Sequence, residues 1–324
     1  MLIDKLGTKK NLLAFSGGVD STSLFFILLE NNISFDIAII NYNQREQATK
    51  EVEYAKKLAQ EHNKTCYVKE YKYDKFSEKL ARDFRYGFFD EVMEEEAYDT
   101  LITAHQLNDK LEWFMMQLAR GAGVVELIGL EIFSKRKNYQ VFRPLLKYTK
   151  DELETYLEKN NLQYFIDESN IDTKYQRNYI RLKYANEFVN EYKEGVKKSF
   201  QYLDNDIQSL SNLYTTKRLE LFSYTTLKVD DENIKLRWVD QELKRRGILL
   251  SKETKDEIIS QQEIVISNSI VVCIKGVHIY ITPFIDVTMN KKFKEWCRIN
   301  VIPKKIRPYL STLDFDTLKK FIYQ

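Results

Sequence analysis

From Asn11 to Leu118 the chain alternates two hydrophobic periods, and no other feature of the sequence constrains the fold as much. Short apolar runs at Asn11–Phe15, Asp36–Asn41, Thr65–Val68 and Thr100–Ala104 have the length of buried strands. Between and after them, Ser21–Glu30, Gln47–Glu61, Leu80–Glu95 and Leu107–Leu118 place apolar residues at helical spacing, as Val52, Ala55, Leu58 and Ala59 do. Buried strands that each feed a helix cover both faces only as a parallel sheet between two helical layers. The expected class is α/β, a Rossmann-like parallel sheet with a smaller helical or α+β domain after it. In such a sheet ligands bind beyond the carboxyl ends of the strands.

After Arg143-Pro144 the pattern turns helical. Thr149, with Glu152 three residues on, opens a helix to Asn160 through a capping box. Tyr175–Tyr192 and Val196–Leu221 read as long bridging helices, and Asp231–Gly247 and Thr254–Gln262 as two more. Ser269–Ile274 and Val277–Thr282 flank Lys275-Gly276, a hairpin signal. The pattern divides the chain into a first domain over 1–205, a helical linker over 206–225 and a terminal domain over 226–324.

Composition removes several classes. Lys plus Arg is 50 and Asp plus Glu 48, a net charge of +2 that leaves nucleic-acid binding to local clusters. Apolar runs such as Leu24–Leu29 are far below the ~18 residues of a membrane span. MLIDKLGTKK has no apolar signal core, so a cytoplasmic location and no membrane partner are expected. Cys66, Cys273 and Cys297 form no C-x-x-C and stand with only three histidines, which argues against disulfides, zinc and iron–sulfur clusters.

Two chemistry-bearing patterns follow the first and fourth strands. The first is Ser16-Gly17-Gly18-Val19-Asp20-Ser21. Glycines there let the backbone approach a ligand, and a helix start attracts an anion. No Gly-Lys-Ser/Thr follows and G-x-G-x-x-G is absent, so neither the kinase-type loop nor the dinucleotide fingerprint applies. The bland alternative is a glycine turn with Asp20 as a first-turn acid. The second pattern is His105, Asp109 and Glu112 at i, i+4 and i+7, which share one helix face. The two acids suit metal binding or general-base work, or are simply an exposed face.

SGGVDS resembles the pyrophosphate loop of the N-type ATP pyrophosphatase superfamily, whose fold is adenine nucleotide alpha hydrolase-like. Within it, TAHQLNDKLEWFMMQLARGAG, RPLLKYTKDELETYL, DESNIDTKYQRNYIR and ARDFRYGFF resemble motifs of the tRNA(Ile)-lysidine synthetases, in order over residues 10 to 185. Departures are present. Ile40–Arg45 reads I-N-Y-N-Q-R where the family has V-N-H-G-L-R, and Gln106, Asn108 and Lys110 replace His, Asp and Gln.

The resemblance implies ATP and Mg²⁺ as cofactors. Ser16, Gly17, Gly18, Val19, Asp20 and Ser21 would cradle the β and γ phosphates, with Asp20 also on the metal. Its partners would be tRNA(Ile) with a CAU anticodon and free L-lysine, with a homodimer left open. ATP would adenylate the C2 oxygen of the wobble cytidine, and the lysine ε-amine would expel AMP. Neutralising that amine at pH 7 costs about 4.6 kcal/mol from its ordinary pKa. Asp109 and Glu112 are the candidates to hold and deprotonate it. Glu112 is the stronger, because Asp109 neighbours Asn108 rather than a second acid. His105 would contact phosphate or orient the acids. Arg85 and Arg181 match the family as phosphate clamps, Arg177 lies one turn before Arg181, and Arg45 would meet nucleotide or tRNA.

Two basic clusters would touch tRNA. Phe133–Lys150 holds Lys135, Arg136, Lys137, Arg143, Lys147 and Lys150 without an acid. Lys291–Arg307 holds seven basic residues and one acid, with Phe293, Trp296 and Pro303 interleaved as stacking surfaces. The competing readings are a tRNA thiolase of the same superfamily, or an inactive RNA-binding relative.

Overall fold

The computed structural model describes residues 6–7, 9–42, 46–71, 77–166, 174 and 176–323. The chain divides into two compact units between Asp204 and Asn205.

The first unit is built on a six-stranded sheet of order β3-β2-β1-β4-β6-β5, from β1 (Asn11–Ala14), β2 (Asp36–Asn41), β3 (Cys66–Glu70), β4 (Thr100–Ile102), β5 (Phe133–Arg136) and β6 (Tyr139–Phe142). All neighbours are parallel except the edge pair β5–β6. The strands send adjacent residues to opposite faces. Leu13, Ile37, Ile39 and Ile102 pack on one side under α1 (Val19–Glu30) and α2 (Glu46–Glu61). Leu12, Ala38, Leu101 and Val141 pack on the other, against Phe88, Phe89, Val92 and Met93 of α3 (Glu78–Glu95). The sequence reading of these elements holds to within a few residues.

The chain leaves β1 towards β2 and β3, then returns to the far side of β1 as β4. The carboxyl ends of β1 and β4 therefore flank the point where strand order reverses, the standard ligand crevice of open α/β sheets. After β4 come α4 (Leu107–Leu118) and the short α5 (Val124–Ile128). The capping box foreseen at Thr149 and Glu152 opens α6 (Lys150–Lys159), with bonds of 3.2 and 2.8 Å.

Gly129, which ends α5, has φ +52°, and a Cβ there would stand 1.9 Å from Trp113 Nε1 of α4. That indole nitrogen donates to Glu126 O at 2.8 Å. Gly129→Ala is expected to destabilise the protein by about 2–4 kcal/mol, from overpacking and left-handed strain together. The shift of the urea midpoint measures it.

The two expected long helices are present and meet at a non-helical Tyr192 (φ −119°, ψ 26°). The first runs through α7 (Gln176–Ile180), a π-helical turn (Arg181–Ala185) and the start of α8 (Asn186–Ser211), and the second through the rest of α8. The helix expected over Val196–Leu221, and with it the helical linker over 206–225, is corrected beyond Ser211. Tyr214–Leu219 is β7 and Phe222–Leu227 is β8, six paired residues of one hairpin.

The second unit is a five-stranded antiparallel sheet of order β7-β8-β11-β10-β9, completed by β9 (Glu263–Ile266), β10 (Ile270–Lys275) and β11 (His278–Pro283). The hairpin expected at Lys275-Gly276 is β10–β11. Trp238 and Leu243 of α9 (Glu232–Lys244) and Ile258 of α10 (Lys252–Gln261) cover one face. α11 (Lys291–Ile299), α12 (Arg307–Leu310) and α13 (Phe315–Tyr323) cover the other, over Val271 and Cys273.

Candidate active site

The glycine loop links β1 to α1. Gly17 has φ +77°, and an added Cβ would meet the Phe165 ring at 3.3 Å. Its carbonyl accepts the Phe165 N–H at 2.9 Å, and Gly18 bridges to Phe165, so a distant segment braces the loop. Ser21 Oγ accepts the Ser16 N–H at 3.2 Å and lies 3.0 Å from Ser16 Oγ. Gly18 is the N-cap of α1 and supplies no side-chain cap. The first N–H groups of that helix, on Val19, Asp20 and Ser21, have no intrahelical acceptor and suit an anion. Val19 also anchors the loop, its side chain buried in the core.

Asp20 Oδ1 is buried without a hydrogen-bond partner. Burial, followed by the charge of Asp109, pushes the carboxyl up to about 7, against opposing pulls from Lys150 and Arg181. Mg²⁺ is held by one or two carboxylates plus phosphate oxygens and water. Such an oxygen fits that partial donor set. No group of three His, Cys, Asp or Glu among the described residues could hold a metal by itself. The raised pKa has a consequence for stability. Folding favours protonated Asp20, so the gain is full below the ordinary range near 4 and is lost as pH rises through about 7. Asp20→Asn is therefore expected to match the nucleotide-free parent in stability near pH 4 and to exceed it at pH 8. Urea titrations of both across that range measure the difference.

The structure brings His105, Asp109 and Glu112 together at the end of β4, but their face is not open. Asp109 accepts the Gln106 N–H at 3.1 Å, completing the N-terminal capping box of α4. Its other oxygen accepts Arg177 Nη2 at 2.6 Å and lies 3.6 Å from Arg181 Nη2. Glu112 is fully buried and accepts Arg177 Nε at 2.9 Å and Arg181 Nε and Nη2 at 2.5 and 3.1 Å. Burial alone would raise Asp109, but Arg177, His105 and Arg181 together hold it below the ordinary carboxylate range. The two arginines sit either side of the α7–π junction, and π turns of this kind gather at functional sites. The reading of these acids as an exposed face is thus corrected: they are buried counter-charges to two guanidiniums, and Glu112 is the more fully engaged.

Burial lowers the His105 pKa to about 4, with Arg143, Arg177 and Arg85 adding to the effect against Asp109. At neutral pH the ring is therefore uncharged. Its Nδ1 lies 3.0 Å from Thr103 Oγ1. It can orient neighbours or share a hydrogen bond, but it is not a cationic phosphate clamp.

The departures noted in α4 have partners. Asn108 donates to Asn186 Oδ1 at 3.0 Å and accepts the Lys150 N–H at 3.2 Å, tying three helices together. Lys110 is buried, paired with Asp204 at 2.9 Å and set 4.8 Å from the Phe200 ring centroid. Tyr42, standing where the family motif has histidine, accepts Arg85 Nε at 3.1 Å. Arg85 itself is exposed. Arg45, and Asp167–Asn170 of the last motif, lie outside the described residues.

The first basic cluster does not form one open patch. Arg136 and Lys137 pair with Asp90 at 2.8 and 3.0 Å, Lys150 pairs with Glu154 at 3.3 Å, and Arg143 is half-buried at the end of β6. In the second unit, Met289, Lys291, Lys294, Glu295, Arg298, Lys304 and Arg307 line an open groove of about 560 Å³. Phe293 is not a stacking surface there, and Trp296 is only half-exposed. Phe293 is buried, and both pack with Phe315 at centroid distances of 5.7 and 5.3 Å.

Arg177, Arg143 and the Phe165 backbone are the parts of this site that motif reading underweighted. Only Arg177 carried a usable signal, its i, i+4 spacing to Arg181.

The free thiols argue against sulfur chemistry. Burial pushes Cys66 and Cys297 each up to about 11 and raises Cys273 too. Among the described residues no helix is long and apolar enough to cross a membrane.

A PP-loop domain model matches residues 1–188. The tRNA(Ile)-lysidine synthase of Campylobacter jejuni strain RM1221 is 41% identical over 309 residues, covering 95% of this chain and 94% of that protein. That of Helicobacter pylori strain 26695 is 38% identical over 317 residues, covering 95% and 91%. Among solved structures, the U34-tRNA thiolase NcsA from Methanococcus maripaludis with its [4Fe-4S] cluster superposes with a TM-score of 0.52 at 19% identity, over 63% of this chain and 74% of that one. That likeness concerns the fold alone, whereas the identity with the synthases runs through both units. The chain belongs to the tRNA(Ile)-lysidine synthase family, and its first 188 residues match a PP-loop domain.

Proposed function

We propose that this chain is a cytoplasmic ligase that makes lysidine at the wobble cytidine, C34, of tRNA(Ile) with a CAU anticodon. ATP is cleaved between its α and β phosphates, the cytosine C2 oxygen takes the adenylyl group, and pyrophosphate leaves. The ε-amine of free L-lysine then bonds to C2, and the C2–O bond breaks to release AMP. The observation that carries the reading is the meeting, at one sheet crevice, of the glycine loop after β1 with the arginine–acid cluster after β4, in a chain of this family.

In this reading Ser16 to Ser21 take the β and γ phosphates through helix-start N–H groups and two hydroxyls. Asp20 would hold Mg²⁺, which neutralises phosphate charge when bound. Arg85, Arg177 and Arg181 supply cations for the charge that builds on the α-phosphate. Asp109 receives the lysine amine and takes a proton from it as the new bond to C2 makes that nitrogen acidic. Glu112 holds Arg177 and Arg181 in place. His105 stays neutral and orients this cluster.

Residues 205–324 supply tRNA affinity rather than chemistry. Lys291, Lys294 and Lys304 all line the groove of the second unit. Changing all three to Gln should weaken tRNA binding and flatten log K against log salt by about 2–3. Adenylation at saturating tRNA should be unchanged. An unchanged salt slope would remove the groove from the RNA contact.

The deciding test is mass analysis of nucleosides after incubating tRNA(Ile) with the protein, ATP, Mg²⁺ and lysine. A cytidine heavier by one lysine less water is expected. A sulfur-bearing nucleoside would favour the thiolase reading, and RNA binding with no pyrophosphate release the inactive one.

A further inference from the structure

Arg143 is a charged residue at the crevice that the mechanism above does not use. It follows β6, which pairs in parallel with β4, as β4 does with β1. The Thr103 N–H donates to Phe142 O at 2.9 Å, so Arg143 stands at the same sheet edge as the His105 turn. Its Nη1 donates to Glu131 O and Ser134 Oγ, both at 2.9 Å. Its Nε is buried with no acceptor. No carboxylate among the described residues lies within ion-pair distance of it, whereas Arg177 and Arg181 are both matched by Asp109 and Glu112. Neutral acceptors thus orient this guanidinium, and the Glu131 charge acts on it only from beyond ion-pair distance, so burial still disfavours the cation until an anion arrives.

We propose that Arg143 receives the α-carboxylate of the amino-acid substrate and so selects a free amino acid over a simple amine. The inference rests on the lysine reading given above. Along the sheet edge the order is glycine loop, acid–arginine cluster, Arg143. Strands lie roughly 4.8 Å apart, so β6 is one step beyond β4 and two beyond the phosphate loop. An extended lysine separates its ε-nitrogen from its carboxylate carbon by roughly 7–8 Å at standard bond lengths. With the amine at Asp109, the carboxylate reaches the neighbouring strand end, on the side away from the phosphates. An arginine fork pairs with a carboxylate through two parallel hydrogen bonds. Burial favours loss of the Arg143 charge, so a carboxylate arriving there is strongly welcomed.

The test compares lysine, lysinamide and cadaverine as acceptors of the adenylated tRNA, with the parent protein and with Arg143→Gln and Arg143→Lys. The parent should prefer lysine over lysinamide by roughly 10²-fold in kcat/KM, the scale of losing one desolvated charge pair. Arg143→Gln should lose that preference, chiefly through KM for lysine, with kcat/KM for lysinamide and the adenylation rate within about threefold of the parent. Arg143→Lys should keep part of the preference. Equal use of lysine and lysinamide by the parent overturns the proposal even if the variants fail to fold. So does a loss of adenylation in folded Arg143→Gln, which would assign the residue to phosphate. If the parent forms no lysine-bearing nucleoside at all, the proposed function falls, and this inference with it.

Discussion

Asp20→Ala is expected to slow tRNA adenylation by roughly 10²–10³-fold while tRNA affinity stays unchanged. The scale is that of removing one preorganised charge-stabilising group from a transition state. Asp20 sits in the first turn of α1, directly behind the glycines, with one buried oxygen that no group among the described residues satisfies. Its charge is disfavoured until a cation joins it, so the loss should fall on the step that needs the cation and not on RNA contact. Ser16→Ala should reduce the same step less, because Ser21 Oγ is only 3.0 Å from Ser16 Oγ and can serve the same anion. Pyrophosphate release measured under single-turnover conditions checks both variants. Release from Asp20→Ala at the parent rate would remove Asp20 from the phosphate site.

The second large effect separates the two acids of α4. Asp109→Asn is expected to leave adenylation nearly intact and to slow lysine transfer by roughly 10²–10⁴-fold, the range for losing a positioned base. Transfer should then recover about tenfold per pH unit, because the neutral fraction of lysine grows at that rate below its pKa. Glu112→Gln should behave differently. It removes the carboxylate that accepts from Arg177 Nε and from Arg181 Nε and Nη2. Two half-buried guanidiniums then lose a counter-charge, at a cost of about 3–5 kcal/mol in stability. Adenylation should fall together with transfer, and raising the pH should rescue neither. Adding Arg181→Met should cost less than the two single changes combined, since the pair acts as a unit. Asp109→Asn with failed adenylation and no pH rescue would place that carboxylate on the metal.

The same acids show how far the residues could be read without the fold. Their spacing put them on one helix face, and that was right. Nothing local indicated that Arg177 and Arg181, some 65 to 69 positions later, would close over them. An open face would leave both acids free for lysine. With two guanidiniums over them, Glu112 is the more fully engaged and Asp109 the better lysine candidate.

The hairpins make the point for the backbone. The expected β10–β11 hairpin turns at Gly276, whose φ of +57° is a conformation glycine adopts freely and announces in the sequence. Three were missed. Two turn at Lys137 and Glu220, with φ of +44° and +51°, and neither residue type marks a turn. The third, β9–β10, turns at Ser267 and Asn268, with φ of +47° and +50°, behind a strand of only four residues. In β7, Thr215 and Thr216 stand beside Lys217 and Arg218, a mixed run that extends a helical pattern as readily as it starts a strand.

What the sequence determined by itself is the local physics of the first unit. Strands and helices from Asn11 to Leu118 follow from apolar periods, and the glycine loop from residues that only one kind of turn accommodates. The capping box at Thr149 and Glu152 was equally legible. What only the tertiary structure decided is every relation between segments far apart in the chain. These are the order β1-β4-β6 at the crevice, the arginines closing on buried acids, the burial of Phe293, and the place of Arg143 beyond ion-pair distance of any described carboxylate. The physical reason is that a side chain's charge state and exposure depend on what packs against it. Periodicity reports which face a residue shares with its neighbours in sequence, while the partners that neutralise, bury or leave that residue uncompensated are chosen when the sheet closes.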